Sequence, residues 1–334
     1  MRATYEVRPP EWAETLAVLQ SISLPGGPER VRARVIDVGG ERVQLEFPAL
    51  DGERDAEQLL AACIAGEWAD RGDMESCRLL EIEWPDGFPG PAFGAEPGVA
   101  VGAIVKPALG LAPSETAAVA AELAAGGARF LKDDELMASP SYSPLVARVR
   151  RVCERIPPDV RYAPNVSGPP ETLLARAESV VGAGAGALMV NAFLQGLGSI
   201  RALRDADLGV PLFVHRVGSS FLRRGEVVSV SSRVLVELTR LLGADYVQVG
   251  SFSPRTFDST VEVREQIAAC RGELPGGAPT ATAVIGGGVG PENAVEQLAL
   301  AETTDGVMLL LGSEAYAHPE GVRAGVAATV AAVT

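Results

Sequence analysis

The stretch Phe130-Leu131-Lys132-Asp133-Asp134-Glu135 is a short apolar run that passes directly into four charged residues. Side chains alternate along a strand, so Lys132 and Asp134 share one face, and a turn after the strand would bring Glu135 to the same point. The spacing leaves two interpretations open. One is an ion-paired loop with an acidic helix N-cap, and the other is a site for a hard cation such as Mg²⁺, which prefers carboxylate oxygens.

The composition bounds the class of protein. The chain has 334 residues, of which 47% are hydrophobic, and this length suits a barrel with a smaller second domain. The formal net charge of −14 argues against nucleic acid and anionic membranes as partners, so a phosphate-bearing ligand needs a local pocket. The four cysteines lack metal-binding spacing, the start of the chain is polar, and no apolar run approaches membrane-spanning length. We therefore expect a cytoplasmic protein with reduced thiols.

Residues 1–96 are expected to form a small α+β domain of the ferredoxin-like type. Three segments have the alternation or composition of strands, two have helical spacing, a glycine pair suits a hairpin turn, and a segment rich in proline and glycine reads as a linker. The predicted strands are Val31–Val35, Val43–Phe47 and Cys77–Trp84, the helices are Pro10–Ser21 and Asp55–Gly66, the turn is Gly39-Gly40, and the linker is Pro85–Pro91.

Residues 97–334 contain eight short apolar runs, most of them separated by alanine-rich helical segments such as Ser114–Ala125. Runs that are apolar on both faces predict a parallel sheet covered by helices. Eight such units over about 235 residues predict a TIM (β/α)₈ barrel. A doubly wound open sheet is the alternative, disfavoured because no Gly-x-Gly-x-x-Gly follows the first strand. The predicted strands are Ala103–Lys106, Arg129–Lys132, Arg161–Val166, Ala187–Ala192, Leu212–His215, Tyr246–Val249, Thr282–Ile285 and Gly306–Leu311.

Polar residues follow nearly every run, and the strand ends of a barrel meet at one rim. Lys106 there is either a solvated loop lysine or a functional one, and His215 is either a satisfied core histidine or a ligand-binding one. The adjacent Arg216 favours phosphate or carboxylate binding. The glycines Gly286–Gly288 form either a tight turn or the phosphate cradle usual after the seventh strand. His318 either caps a helix or joins the site.

Several of these segments resemble one family, the RuBisCO large-subunit superfamily. Gly102–Leu111 resembles its first-strand motif, Phe130–Glu135 resembles its metal-site motif, and Phe88–Gly94 resembles the domain-linking segment of RuBisCO-like proteins. His215-Arg216, the glycine run and His318-Pro319 follow in the family's order. The resemblance spans essentially the whole chain and implies the same fold, with a shortened N-terminal domain.

The resemblance also implies roles for the candidate residues. Lys132 would be carbamylated by CO₂ and would bind Mg²⁺ together with Asp134 and Glu135. Lys106 would move protons during enolisation of the substrate. The implied substrate-binding residues are His215 and Arg216 at one phosphate and its neighbouring hydroxyls, Gly287, Gly288 and Gly312 at the other phosphate site, and His318.

Four features depart from the true carboxylases of this family. Ala108 stands where they carry a second lysine, Gln248 where they carry a histidine, and Gly286 where they carry a serine. The loop Gly250–Thr256 contains no lysine. These groups stabilise and protonate the carboxylated intermediate, so CO₂ fixation on ribulose bisphosphate is not expected.

The resemblance therefore implies a RuBisCO-like, Mg²⁺-dependent lyase or isomerase that acts through an enediolate on a small phosphorylated keto-sugar or keto-acid. Segments after Lys132 are most similar to the branch that decarboxylates or hydrolyses 3-oxo-isoapionate phosphate in apiose breakdown. One alternative is an enolase or isomerase of a methylthio-ketose phosphate in methionine salvage, and another is a non-catalytic metabolite-binding barrel. The family also implies a homodimer, or a multiple of it, in which one chain's small domain covers the other's barrel mouth.

Overall fold

The computed structural model describes residues 1–21, 33–64 and 72–334, and its strands form two sheets. Val31 and Arg32 of the predicted second strand, and residues 65–66 of the predicted second helix, lie outside the described residues. Within the described ranges no helix has the length and apolar character needed to cross a bilayer.

The N-terminal domain is ferredoxin-like, as predicted. It comprises β1 (Arg2–Arg8), α1 (Ala13–Ser21), β2 (Arg34–Gly39), β3 (Arg42–Glu46), α2 (Ala56–Ile64) and β4 (Ser76–Glu83). The strands lie in the order β4-β1-β3-β2 and all three pairings are antiparallel. Alternate side chains of the strands are buried in one apolar core with the helices, among them Tyr5, Leu45 and Leu79 with Leu16 and Leu59. This burial explains the period-two pattern in the sequence.

One strand of this sheet comes from far along the chain. β10 (Val228–Val230) pairs in parallel with Cys77–Leu79 of β4 and forms one edge of the five-stranded sheet. The sequence analysis placed no strand there, because three residues are too few to show a period. The contact joins the sheet to a segment of the barrel region. The division of the chain at residues 96 and 97 stays a prediction.

The second sheet is the predicted barrel. Its eight parallel strands are neighbours in chain order, and an isolated bridge between Asn165 and Met189 joins the two outermost strands. The strands are β5 (Val99–Ile104), β6 (Phe130–Lys132), β7 (Arg161–Ala163), β8 (Leu188–Val190), β9 (Leu212–Val214), β11 (Tyr246–Val249), β12 (Thr282–Gly286) and β13 (Val307–Leu311). All eight predicted runs contain a strand, and the alternative of an open doubly wound sheet is wrong.

Helices surround the barrel, and side chains fill its interior. The helices are α3 (Pro113–Ala125), α4 (Leu145–Cys153), α5 (Leu173–Gly182), α6 (Ala192–Gln195), α7 (Gly198–Asp205), α8 (Ser220–Arg223), α9 (Ser232–Leu241), α10 (Thr260–Arg271), α11 (Ala294–Ala301), α12 (Ser313–Tyr316) and α13 (Val322–Val333). Phe130, Phe213 and Tyr246 pack against one another inside the barrel, with ring centroids 4.7 and 5.7 Å apart. Because the interior is packed, reactive groups can gather only at the strand ends.

Five of the predicted strand ends are corrected by the hydrogen-bonding pattern. The first strand ends at Ile104, so Lys106 lies in the loop after it, and the third ends at Ala163 instead of Val166. The fourth strand ends at Val190 instead of Ala192, the fifth at Val214 instead of His215, and the seventh at Gly286 instead of Ile285. An apolar run in the sequence indicates only that residues are buried. A strand ends where the backbone hydrogen bonds to the neighbouring strands end. The shift at the first strand moves Lys106 from the sheet onto the rim of the barrel.

Candidate active site

Lys106 and Lys132 are the only lysines of the chain, and both lie at the mouth of the barrel. Every other basic side chain apart from the histidines is an arginine. An arginine stays charged in proteins, whereas a buried lysine loses its proton readily and then acts as a base or a nucleophile. At these two positions the chain therefore carries a basic group that can lose its proton, which an arginine cannot do. This count is a signal that the sequence analysis missed.

Lys132 is the last residue of β6 and is fully buried. Its Nζ donates to the carbonyl oxygen of Asp133 at 2.7 Å and lies 4.0 Å from Oε2 of Glu135. Burial lowers the pKa of Lys132 to about 8, and the carboxylates of Glu135, Asp134 and Asp133 oppose this shift. Near neutral pH the amine is still mostly protonated, but its neutral share is far larger than that of an ordinary lysine, and the neutral amine is the form that reacts with CO₂.

Asp134 and Lys106 form an ion pair across two neighbouring strand ends. Nζ of Lys106 donates to Oδ2 of Asp134 at 2.5 Å, and Oδ1 of Asp134 accepts from the backbone N–H of Leu136 at 3.1 Å. The Asp134 side chain is 1% exposed and that of Lys106 is 30% exposed. The carboxylate is therefore fixed, while the ammonium group borders the open mouth of the barrel.

Glu135 lies between Lys132 and His215. Nε2 of His215 lies 3.4 Å from Oε2 of Glu135, while Nδ1 of His215 accepts from the backbone N–H of Val217 at 3.1 Å. Nδ1 thus carries no proton, and the proton sits on Nε2. Burial, followed by the positive charges of Lys132, Arg216 and Lys106, holds the pKa of His215 well below its usual value. His215 is therefore neutral, with its Nε2 side near the Glu135 carboxylate.

Two asparagines fix the backbone of the same loop. Nδ2 of Asn165 and Nδ2 of Asn191 donate to the carbonyl oxygen of Glu135 at 3.1 and 2.9 Å. They follow β7 and β8, so two neighbouring strand ends hold the turn that follows β6. The sequence analysis assigned neither asparagine a role.

Asp133, the fourth charged residue of the stretch, faces away from this group. Its Oδ2 accepts from Nη2 of Arg148 at 2.9 Å and from the backbone N–H of Asn165 at 3.0 Å, and its Oδ1 accepts from the hydroxyl of Tyr162. Arg148 also donates to the carbonyl oxygens of Ala138 and Ser143. Burial lowers the pKa of Arg148, but Asp133 and Tyr162 reverse this, so the pKa lies above the usual value. The cluster anchors the loop after β6.

The donor set accommodates a hard cation only if Lys132 contributes an oxygen. Over the described part of the chain, no three His, Cys, Asp or Glu side chains are arranged to hold a metal ion. Asp134 and Glu135 supply two carboxylates, and the buried amine of Lys132 lies 4.0 Å from Oε2 of Glu135. A carbamate at Nζ converts this amine into an anionic oxygen ligand, which suits Mg²⁺. The residues present therefore fit the metal site implied by the sequence.

The glycine loop lies under the loop that follows β11. Gly287 and Gly288 have φ values of 112° and 70°, which favour glycine. A Cβ at Gly288 would lie 2.4 Å from Oγ of Ser253, and Oγ of Ser251 donates to the carbonyl oxygen of Gly287. Gly312 immediately precedes α12. The close approach of the two loops explains why no side chain fits at this point.

Arg216 and His318 have their contacts away from the lysine pair. Nη2 of Arg216 donates to Oδ2 of Asp258 at 2.6 Å, and Arg223 binds the other oxygen of Asp258. Nη1 of Arg216 is buried and has no hydrogen-bond partner among the described residues. His318 lies in a separate cavity of about 480 Å³ lined also by Arg255. The structure thus brings together Lys106, Lys132, Asp134, Glu135 and His215, whereas Arg216 and His318 contact other groups.

Comparison with known proteins gives consistent relatives. The family model for the ribulose bisphosphate carboxylase large chain, catalytic domain, matches residues 91–334. The chain is 32% identical to the 3-oxo-isoapionate-4-phosphate decarboxylase of Rhizobium rhizogenes, over 86% of this chain and 73% of that protein. It is 30% identical to the 3-oxo-isoapionate-4-phosphate transcarboxylase/hydrolase of Xanthobacter autotrophicus, over 90% and 76%. The crystal structure of a rubisco-like protein from Burkholderia fungorum superposes with a TM-score of 0.85 and 27% identity, covering 100% of this chain and 94% of that one.

Proposed function

The chain belongs to the ribulose bisphosphate carboxylase large-chain family, and from this premise we propose that it is a Mg²⁺-dependent RuBisCO-like decarboxylase of a small phosphorylated 3-oxo acid. The observation that carries the proposal is the pairing of the chain's two lysines with adjacent carboxylates, Lys106 with Asp134 and Lys132 with Glu135, beside the neutral His215. Relatives that act on 3-oxo-isoapionate 4-phosphate support this compound as the substrate.

The reaction breaks one carbon–carbon bond and forms one carbon–hydrogen bond. In a 3-oxo acid, the electron pair of the bond to the carboxyl carbon passes to the adjacent carbon and the ketone oxygen as CO₂ leaves. The resulting enediolate then takes a proton on carbon. Lys106 is the proposed proton donor, because its ammonium group borders the open mouth and is held by Asp134 at 2.5 Å. His215, neutral and 3.4 Å from Oε2 of Glu135 through its Nε2, is the proposed neighbour that keeps the Glu135 carboxylate in place.

We assign the metal to Asp134, Glu135 and a carbamate on Lys132. When bound, Mg²⁺ supplies Lewis acidity to the oxygen atoms of the substrate. The remaining work falls to the chain's own residues. The asparagine contacts to the Glu135 carbonyl hold the turn in place, and the Asp133 cluster holds the loop behind it.

The substrate's phosphate is assigned to the glycine loop. Backbone N–H groups of Gly287, Gly288 and Gly312 are the proposed donors, in the position usual for phosphate in TIM barrels. Arg216, with one buried and unpartnered nitrogen, and His318 are the proposed further contacts on either side. The proposed substrate would therefore place its keto-acid group at the metal site and its phosphate at the glycine loop.

Decarboxylation is favoured over CO₂ fixation because the cations of a carboxylase are absent. Ala108 and the lysine-free loop 250–256 remove two of them, and loss of a single oxyanion-type donor costs roughly 10²–10³ in rate. Losing a proton and losing CO₂ lead to the same enediolate. The isomerase alternative therefore uses the same residues and has to be separated by experiment.

The proposed function predicts Mg²⁺-dependent release of CO₂ from 3-oxo-isoapionate 4-phosphate, above the spontaneous rate, and no carboxylation of ribulose 1,5-bisphosphate. The Lys106→Met variant should lower turnover by roughly 10²–10⁴-fold, while substrate binding stays within about tenfold, because the phosphate contacts remain. Reaction in D₂O followed by NMR detects both outcomes.

Three results would contradict this proposal. Labelled CO₂ fixed onto ribulose 1,5-bisphosphate above a Lys132→Ala control would identify a carboxylase. Deuterium incorporation into a methylthio-ketose phosphate without CO₂ release would identify the isomerase. Metabolite binding with no turnover of any phosphorylated keto-compound would indicate a non-catalytic barrel.

We also propose that the enzyme is a homodimer or a multiple of dimers, acting in the cytoplasm. Exposed apolar side chains border the barrel mouth on the segments after β5, β6, β8, β9 and β11, and they are Leu109, Leu136, Leu194, Phe221 and Phe257. Phe221 is 83% exposed, which is costly for a face left in water. The thiols of Cys77, Cys153 and Cys270 form no disulfide, which suits a reducing compartment.

Light scattering at micromolar concentration should give a mass of about twice the 34.7 kDa chain or a multiple of that. The Phe221→Asp variant should shift the population towards the monomer, because a charge would be buried against the partner. Phe93→Asp is the matched control, since Phe93 is 51% exposed but lies beside Asp245, which precedes β11 at the opposite end of the barrel. A monomeric wild type, or equal dissociation of both variants, would exclude this interface.

A further inference from the structure

Tyr316 joins the loop after the last barrel strand to the backbone that carries Lys106. It is the last residue of α12, and its hydroxyl donates to the carbonyl oxygen of Ile104 at 2.9 Å. The same hydroxyl accepts from the backbone N–H of Lys106 at 2.8 Å. Burial raises the pKa of Tyr316, so the phenol keeps the proton with which it donates.

The Tyr316 hydroxyl makes hydrogen bonds to the backbone after β5 that strand β13 does not provide. The last residue pair between β5 and β13 is Ala103 with Leu311, and β13 ends at Leu311. No further residue of β13 pairs with Ile104 or Lys106, although buried backbone groups need partners. Tyr316 therefore fixes the chain at the point where it leaves the sheet and turns towards the site.

The same short helix touches the proposed phosphate side. α12 begins directly after Gly312, and Glu314 within it pairs with Arg255 of the loop after β11. The helix has only four residues, so a displacement at Gly312 is passed to Tyr316 with little room for relaxation. One turn of helix thus lies between the anion site and the backbone of Lys106.

We propose that Tyr316 is a positioning residue for Lys106 and couples it to occupancy of the anion site at Gly287, Gly288 and Gly312. This inference rests on the proposed function, in which Lys106 moves the proton. The lysine side chain is long and flexible. The position of its ammonium group therefore depends on how firmly the backbone of Lys106 is held. A misplacement of about 1 Å at a reacting group costs roughly 10²-fold in rate. Phosphate binding and proton delivery are then linked through one hydroxyl.

The activity test is the Tyr316→Phe variant, which keeps the ring and removes the hydroxyl. With 3-oxo-isoapionate 4-phosphate, kcat should fall by about 10- to 100-fold while KM stays within about twofold. Tyr142→Phe is the matched control, because its hydroxyl accepts from the Gly110 N–H at 2.9 Å in the loop that follows Lys106. This control should leave kcat and KM within about twofold. An unchanged kcat in Tyr316→Phe, or an equal loss in Tyr142→Phe, would overturn the assignment.

A second test needs no substrate. Because the chain has two lysines, labelling with [¹³Cε]lysine gives two lysine signals by NMR, and the one missing from Lys106→Met belongs to Lys106. Inorganic phosphate should shift the Lys106 signal in the wild type and in Tyr142→Phe but not in Tyr316→Phe. Equal shifts in all three proteins, or no shift in the wild type, would refute the coupling. A wild type without turnover contradicts only the proposed function, because this measurement is independent of it.

Discussion

The Lys132→Ala variant is expected to lose Mg²⁺-dependent turnover by more than about 10³-fold. The loss should exceed the 10²–10³ typical of a single oxyanion donor, because two carboxylates alone leave the cation short of protein ligands. Calorimetric titration should also show Mg²⁺ binding weakened to the level of an ordinary surface carboxylate pair. Lys132→Met, which keeps most of the buried volume, should behave in the same way and guards against a folding defect at this fully buried position.

The carbamate itself can be observed directly. With ¹³C-bicarbonate and Mg²⁺, the wild type should show a lysine carbamate signal that is absent from Lys132→Ala and kept by Lys106→Met. The Lys132→Ala and Lys106→Met variants together test every lysine of the chain, since there is no third one. The N-terminal amine is the same in all variants. Full activity in CO₂-free buffer with no carbamate signal, or retained Mg²⁺ binding in both Lys132 variants, would remove the carbamate from the account.

The Arg148→Ala variant is expected to lower the free energy of unfolding by about 3–5 kcal/mol. Both members of the Arg148–Asp133 pair are buried, at 0 and 1% side-chain exposure, and removal of one leaves an uncompensated charge in the barrel wall. The carbonyl oxygens of Ala138 and Ser143 would lose their donors as well. Urea denaturation followed by circular dichroism measures the change.

Arg151→Ala is the matched control for this substitution. Arg151 lies on the same helix, and its ion pair with Glu154 is solvent-exposed on both sides. Exposed pairs contribute little, so this variant should differ from the wild type by less than about 1 kcal/mol. Equal destabilisation by the two variants would show that loss of helix propensity, and not the buried pair, is responsible.

The barrel was predictable because its signals are local. A parallel strand covered by helices must be apolar on both faces, and each of the eight runs carries that requirement within a few residues. The convergence of Lys132 and Glu135 was predictable because one turn directly after the strand brings the two residues together. In the N-terminal sheet, the sequence predicted strands that overlap β2, β3 and β4, and it missed β1.

The contacts missed by sequence reasoning join residues far apart in the chain. The bond of Tyr316 to Ile104 spans 212 residues, and β10 pairs with β4 across about 150 residues. No pattern within either segment announces such a contact. Arg216 illustrates the same limit, since its position after β9 was expected but its pairing with Asp258 of a later loop was not.

The sequence by itself determined the eight-stranded barrel, the ferredoxin-like domain and the group of charges after β6, because burial, periodicity and strand alternation are properties of neighbouring residues. Only the tertiary structure decided which of those charges serve the site. It directed Asp133 to Arg148 and Tyr162, left Asp134 and Glu135 facing the two lysines, and set Tyr316 under Lys106. The physical reason is that a carboxylate takes the partner that the packed fold places within hydrogen-bonding distance, and that distance depends on every strand and helix between them.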